Sequence, residues 1–187
     1  MYPKNFSDKL LLIRLKKKDP DAFAAVYDTY VTPIYRFVYF KVSSRQDAED
    51  LTSEVFLKVW QYVTETEETI ENLRALIYRV AKNLVIDFYR QRARSEYAAG
   101  DEVLDNVRDV RQQSLLNEIE AKVDLQKMEG VLRKLKDEYR EVIILRFIED
   151  LSISEIAKIL DKSKGSVRVI IHRALKVTRE LLNQNGK

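Results

Sequence analysis

Arg168 and Arg173 lie five residues apart in KGSVRVIIHRAL, with Lys164 and Ser166 just before them and His172 between. On a helix, Val167, Ile170, Ile171, Ala174 and Leu175 make an apolar stripe, which turns Lys164, Ser166, Arg168, His172 and Arg173 outward. A guanidinium pairs bidentately with a guanine edge, and Lys and Arg neutralise phosphate. From Lys158 to Lys187, eight Lys or Arg stand against two acids, Asp161 and Glu180. These types at this spacing suit duplex nucleic acid. A solvated basic face on an ordinary helical hairpin would look the same.

A second constellation lies upstream. Arg79, Asn83, Asp87, Arg90 and Arg94 recur at helical steps and share a face, flanked by Tyr78, Lys82 and Tyr89. Six bases and one acid fall between Arg74 and Arg94. Charge for phosphate and rings for unstacked bases are what single-stranded nucleic acid requires. Tyr as core filler beside solvated Arg is the competing account. A third face is acidic. Asp47, Glu49, Asp50 and Glu54 load one helix start, and Arg45 to Glu71 holds eight acids against two bases. Acids there suit the helix dipole. They would also repel DNA and meet a basic or polar protein surface. With no Cys, one His and no metal-ligand or acid-dyad spacing, neither enzymatic chemistry nor a cofactor is expected.

The elements that position these residues read as helices. Ser152 and Glu155 have capping-box spacing, followed by Ile153, Ile156, Ala157 and Leu160 at helical intervals. Asp161-Lys162-Ser163 breaks the pattern, and Ser163 caps a second helix. A short helix, a turn and a basic second helix make a helix-turn-helix. The whole chain of 187 residues has four Gly, three Pro and 45% hydrophobic residues, and no strand alternation. An all-α protein of two small helical domains follows, the C-terminal one a helix-turn-helix. No apolar run approaches the ~20 residues of a membrane span, and the N-terminus lacks signal-peptide order. A cytoplasmic protein without direct membrane insertion is expected.

In chain order, Ser7 caps a helix over about 8–18. Asp19-Pro20-Asp21 restarts the chain into a run that Pro33 should kink or divide. Helices follow over 46–62, from an Asn72 cap to about Arg94, over 114–135 and over 137–149, with a polar loop at Val63 to Glu71. Residues 95–113 change composition, with five acids against two Arg. They read as a flexible linker between domains at 1–94 and 114–187.

LTSEVFLKVW, LRALIYRVAKNLVIDFYRQRAR and LKDEYREVIILRFIEDLSISEIAKILDKSKGSVRVIIHRAL resemble, in order, the extracytoplasmic-function sigma factors of bacterial RNA polymerase. The resemblance covers about 21–94 and 135–182. It implies no catalysis, and it makes core RNA polymerase and promoter DNA the partners, with an anti-sigma protein as a further one. It assigns 1–94 to sigma region 2 and 114–187 to sigma region 4. It places Asp50, Ser53 and Glu54 against the polymerase's largest subunit. It gives Arg79, Lys82, Asn83, Asp87 and Arg90 to recognition and melting of the -10 element, with Val63 to Asn72 as the loop that captures an extruded base. It gives Arg146, Lys164, Ser166, Arg168, Val169, His172 and Arg173 to the -35 element. The sequence departs from the family pattern at Ser53 (often Gln), Leu76 (often Trp), Asp161 (often Gly), and Val169 and Ile170 (often Ser and Arg). The alternative is a stand-alone helix-turn-helix regulator with an N-terminal interaction domain.

Overall fold

A computed structural model of the protein describes residues 4–42, 44–99 and 125–184. The described residues are almost entirely helical, as the sequence led us to expect. The N-terminal part contains α1 (Lys4–Lys16), α2 (Pro20–Val42), α3 (Arg45–Glu65) and α4 (Leu73–Ala99). The C-terminal part contains α5 (Leu125–Lys134), α6 (Asp137–Ile143), a π-helical turn (Ile144–Ile148), α7 (Ile153–Leu160) and α8 (Lys164–Gln184).

The helix boundaries follow from local chemistry. Lys18 adopts a left-handed φ of 59° after α1. Asp19 then caps α2, accepting hydrogen bonds from the backbone N–H of Asp21 at 3.0 Å and of Ala22 at 3.3 Å, ahead of Pro20 in the first turn. The Arg14 guanidinium bonds the same carboxylate at 2.7 Å and holds it below its usual range. Ser44 caps α3 through the Asp47 N–H, and Asn72 caps α4 through the Ala75 N–H at 2.7 Å.

Four expectations are corrected. α1 runs through Ser7 from Lys4, so Ser7 is no cap. α2 is not divided at Pro33. Tyr30, Ile34, Phe37 and Val38 bury one continuous face across it, and that packing outweighs the hydrogen bond that proline removes. The helix expected to reach Glu149 gives way after Ile143 to the π turn, closed by the Glu149 N–H on the Ile144 carbonyl at 2.9 Å. Residues 95–99, read as linker, continue α4. The rest of that stretch, 100–113, and the helix start at 114–124 lie outside the described residues.

Aromatic pairs join the helices of the N-terminal bundle. Phe23 meets Trp60 edge-on at 5.1 Å, Tyr27 meets Phe56 at 4.8 Å, and Phe37 meets Tyr78 edge-on at 5.5 Å. In the C-terminal part the Arg140 guanidinium bonds the carbonyls of Leu132, Arg133 and Leu135 and closes the end of α5. Helix ends leave such carbonyls without partners. α4 also packs on α7, so the two parts of the chain touch.

Candidate nucleic-acid interface

The helix-turn-helix is built by its caps. The Glu155 N–H donates to the Ser152 hydroxyl at 3.2 Å, and the Ser152 N–H donates back to the Glu155 carboxylate at 2.8 Å. Asp161 ends α7 in the left-handed region, φ 52° and ψ 49°. Asp is among the few side chains that tolerate this conformation, which explains how it stands where the family often has Gly. Ser163 then caps α8 through the Ser166 N–H at 3.1 Å.

α8 buries Val167, Ile170 and Ala174. Ile171 is half-buried, and Leu175 is exposed rather than part of the stripe. Lys164, Ser166, Arg168, Val169, His172 and Arg173 all face solvent. At about 100° per residue, Arg168 and His172 lie on one ridge while Arg173 points about 140° away from Arg168. Arg146 is half-buried, and its guanidinium donates to the Leu151 carbonyl at 2.9 Å. It braces the entry to α7 from within the structure.

On α4, Arg79, Asn83, Asp87 and Arg90 are exposed. Asp87 and Arg90 pair at 3.4 Å. Lys82 is half-buried, and its ammonium donates to the Ile159 carbonyl in the last turn of α7 at 3.3 Å. That is the negative end of a helix, where a cation is favoured. A cleft of about 390 Å³ lies between the 66–72 loop, α4 and α7, lined by Tyr62, Ile70, Asn72, Leu76, Arg79 and Lys158. Its size suits a small ligand. On α3, Asp50, Ser53 and Glu54 face solvent, with Glu54 paired to Lys58 at 3.1 Å, while Asp47 and Glu49 are half-buried.

Tyr78 follows the core-filler alternative and not the stacking one. Its ring is buried, and its hydroxyl donates to Glu149 at 3.0 Å. It is core, and no base can stack on it. Burial and the nearby Glu149 charge push its pKa far up. Tyr89 is partly exposed, with its hydroxyl on the Lys41 carbonyl at 2.7 Å.

The sequence reading also missed a set of residues that join the two parts of the chain. The Glu149 side chain is 2% exposed and receives Arg36 at 2.6 and 2.9 Å. Its backbone carbonyl accepts from Arg74. Lys158 pairs with Glu71 at 2.5 Å, and Lys41 with Glu141 at 3.5 Å. The one local signal was an acid set in the apolar run FIEDL.

Residues 26–95 match the family described as Sigma-70 region 2, and residues 125–177 match Sigma-70, region 4. The chain is 32% identical over 176 residues to the sigma factor SigW of Bacillus subtilis, covering 90% of this chain and 93% of that one. The chain belongs to the extracytoplasmic-function sigma factors of RNA polymerase. This sigma factor is also 30% identical over 186 residues to BldN of Streptomyces coelicolor, covering 95% of this chain and spanning 66% of BldN. Among solved structures, CnrH in complex with the cytosolic domain of CnrY superimposes with a TM-score of 0.70 at 21% identity, covering 95% of the sigma factor and 98% of CnrH. RpoE of Bartonella quintana, in complex with the anti-sigma factor NepR, gives 0.68 at 23% identity, with 86% and 96% covered. These two likenesses concern the fold. Among the described residues of this sigma factor, no helix is long and apolar enough to cross a membrane, and no His, Cys, Asp and Glu cluster could hold a metal ion.

Proposed function

We propose that this sigma factor binds core RNA polymerase and directs it to promoters carrying two unlike elements, supplying specificity and strand separation but no catalysis. The observation that carries the reading is the pairing, on one chain, of an exposed basic helix-turn-helix face on α8 with a second basic face and cleft on α4. In this reading Arg168 and His172, with Lys164, Ser166, Val169 and Arg173 around them, read the -35 element, and Arg146 supports them. Arg79, Lys82, Asn83, Asp87 and Arg90 act on the -10 element, and the cleft receives an extruded base. The acidic start of α3, with Asp50, Ser53 and Glu54, docks on the polymerase. Residues 1–94 and 114–187 work as the two functional units. The complexes of CnrH with CnrY and of RpoE with NepR support a further partner, an anti-sigma protein.

The test mixes the purified chain with core polymerase and maps transcript 5′ ends on a genomic template. Defined start sites sharing two spaced motifs are expected. Tight, twofold-symmetric duplex binding without polymerase would instead favour a stand-alone regulator.

A further inference from the structure

Gly165 is the second residue of α8, and nothing in the fold asks for a glycine there. Its backbone is helical, with no left-handed φ. A Cβ built at this position would meet only the Ser163 hydroxyl, at 3.8 Å, an ordinary contact. Glycine destabilises a helix relative to alanine. A glycine that neither packing nor conformation requires fits the close approach of the backbone to something outside the chain.

Val169 lies one turn further along the same face. At about 100° per residue, the buried Val167, Ile170 and Ala174 point between about 100° and 160° away from it, and Gly165 lies only about 40° away. Arg173 flanks Val169 at about 40° on one side and His172 at about 60° on the other. Val169 is 49% exposed. Among the exposed residues from Lys164 to Arg173, it alone carries an apolar side chain. Isolated exposed apolar groups are ordinary on protein surfaces, so the valine gains meaning from its setting on a bare ridge between cations. A valine side chain can neither donate nor accept a hydrogen bond, and in a helix its methyls are held largely in one rotamer. The apolar group that base pairs present in the major groove is the thymine 5-methyl.

We propose that Gly165 and Val169 form one strip of α8 that reads the 5-methyl group of a thymine in the -35 element. The glycine lets the helix backbone approach the groove, and the valine packs on the methyl. Arg168, His172 and Arg173 beside the strip supply the polar and phosphate contacts. The strip rests on the sigma reading above and adds to it the kind of base edge that is read. Where the family often has Ser, this chain exchanges a hydrogen-bonding group for an apolar one.

Uracil differs from thymine only by that methyl. The test replaces each thymine of the -35 element of a mapped promoter in turn with deoxyuridine and measures binding by the chain with core polymerase. One replacement should weaken binding by the parent about fourfold, the worth of one methyl group removed from water. Val169→Ala should bind the thymine and uracil forms at that position alike, while keeping its preference at the others. Gly165→Ala should bind the promoter roughly tenfold more weakly, the loss of one base contact. It should nevertheless unfold at a temperature no lower than the parent's, because alanine suits a helix better and meets no obstacle here. The absence of any sensitive thymine, or a Val169→Ala variant that still separates thymine from uracil, overturns the methyl reading. Parent-like binding by Gly165→Ala overturns the close approach. A parent that gives polymerase no promoter preference, but shows the same uracil effect on a duplex it selects alone, would remove the sigma reading and leave the strip standing.

Discussion

Arg168 and Arg173 both face solvent, yet their directions diverge too far for them to share one base edge. Arg168 lies nearer the N-terminus of α8, the end that enters the groove in the proposed reading. Arg168→Ala should relax preference at one -35 position, a loss of about 1–3 kcal/mol. Arg173→Ala should weaken all sequences alike and lower the salt slope by about one. Promoter selection from a library randomised across the -35 element distinguishes them; a motif blurred by Arg173→Ala and unchanged by Arg168→Ala reverses the assignment. On α4, Asn83→Ala and Lys82→Ala should impair strand opening more than initial binding, with losses of roughly 1–3 kcal/mol per base contact. Permanganate footprints report this directly. Asn83→Ala is the cleaner variant, because Lys82 also bonds the end of α7. Glu155 supplies a pH signature. Burial pushes its carboxyl up, but the Ser152 hydroxyl and N–H, Arg74 and Asn72 outweigh that and hold it below the usual range. A depressed carboxylate stabilises the fold above its unfolded pKa and ceases to as pH falls through the folded value. Stability against urea should therefore drop below about pH 4 by a component that Glu155→Gln removes.

In the proposed reading, α3 is the element that docks on the polymerase. Asp50→Lys with Glu54→Lys should weaken core binding without changing helix content, because both side chains are exposed. Equal affinity by titration would remove this face from the account. Ser152→Ala should cost about 0.5–2 kcal/mol in thermal unfolding, since it deletes one side of the capping box. Caps of this kind were legible in the sequence because they are local. Ser152 with Glu155, Asn72 and Ser163 each act within three residues, and the helical stripes follow from spacing alone. For Tyr78 the sequence left two readings open, stacking platform and core filler. A tyrosine beside a basic face looks like a stacking platform, and its burial is decided by Phe37 and Glu149, far along the chain. Pro33 does not divide α2, because a proline's local cost says nothing of the packing on either side that holds the helix together.

At the scale of the whole molecule, the closed arrangement should respond to ionic strength. The exposed Lys158–Glu71 pair is screened by salt more than the buried Arg36–Glu149 pair. Small-angle scattering of the free chain should show modest expansion between low and high salt, and a larger one in Glu149→Gln. No change in either would place the closing energy in apolar contact instead. The π turn at Ile144–Ile148 bears on this in another way. One residue of an α-helix is worth about 100° of rotation, so an extra residue in a turn works as a phase shifter. It sets the angle at which everything after Ile148 leaves α6. Deleting one residue there would carry Glu149 about a quarter turn away from Arg36 while leaving every side chain's identity intact. This makes the junction sensitive to length before composition. An apolar exchange at the exposed Phe147 should be absorbed, whereas a single-residue deletion should rotate the promoter-reading end out of register with the rest of the protein.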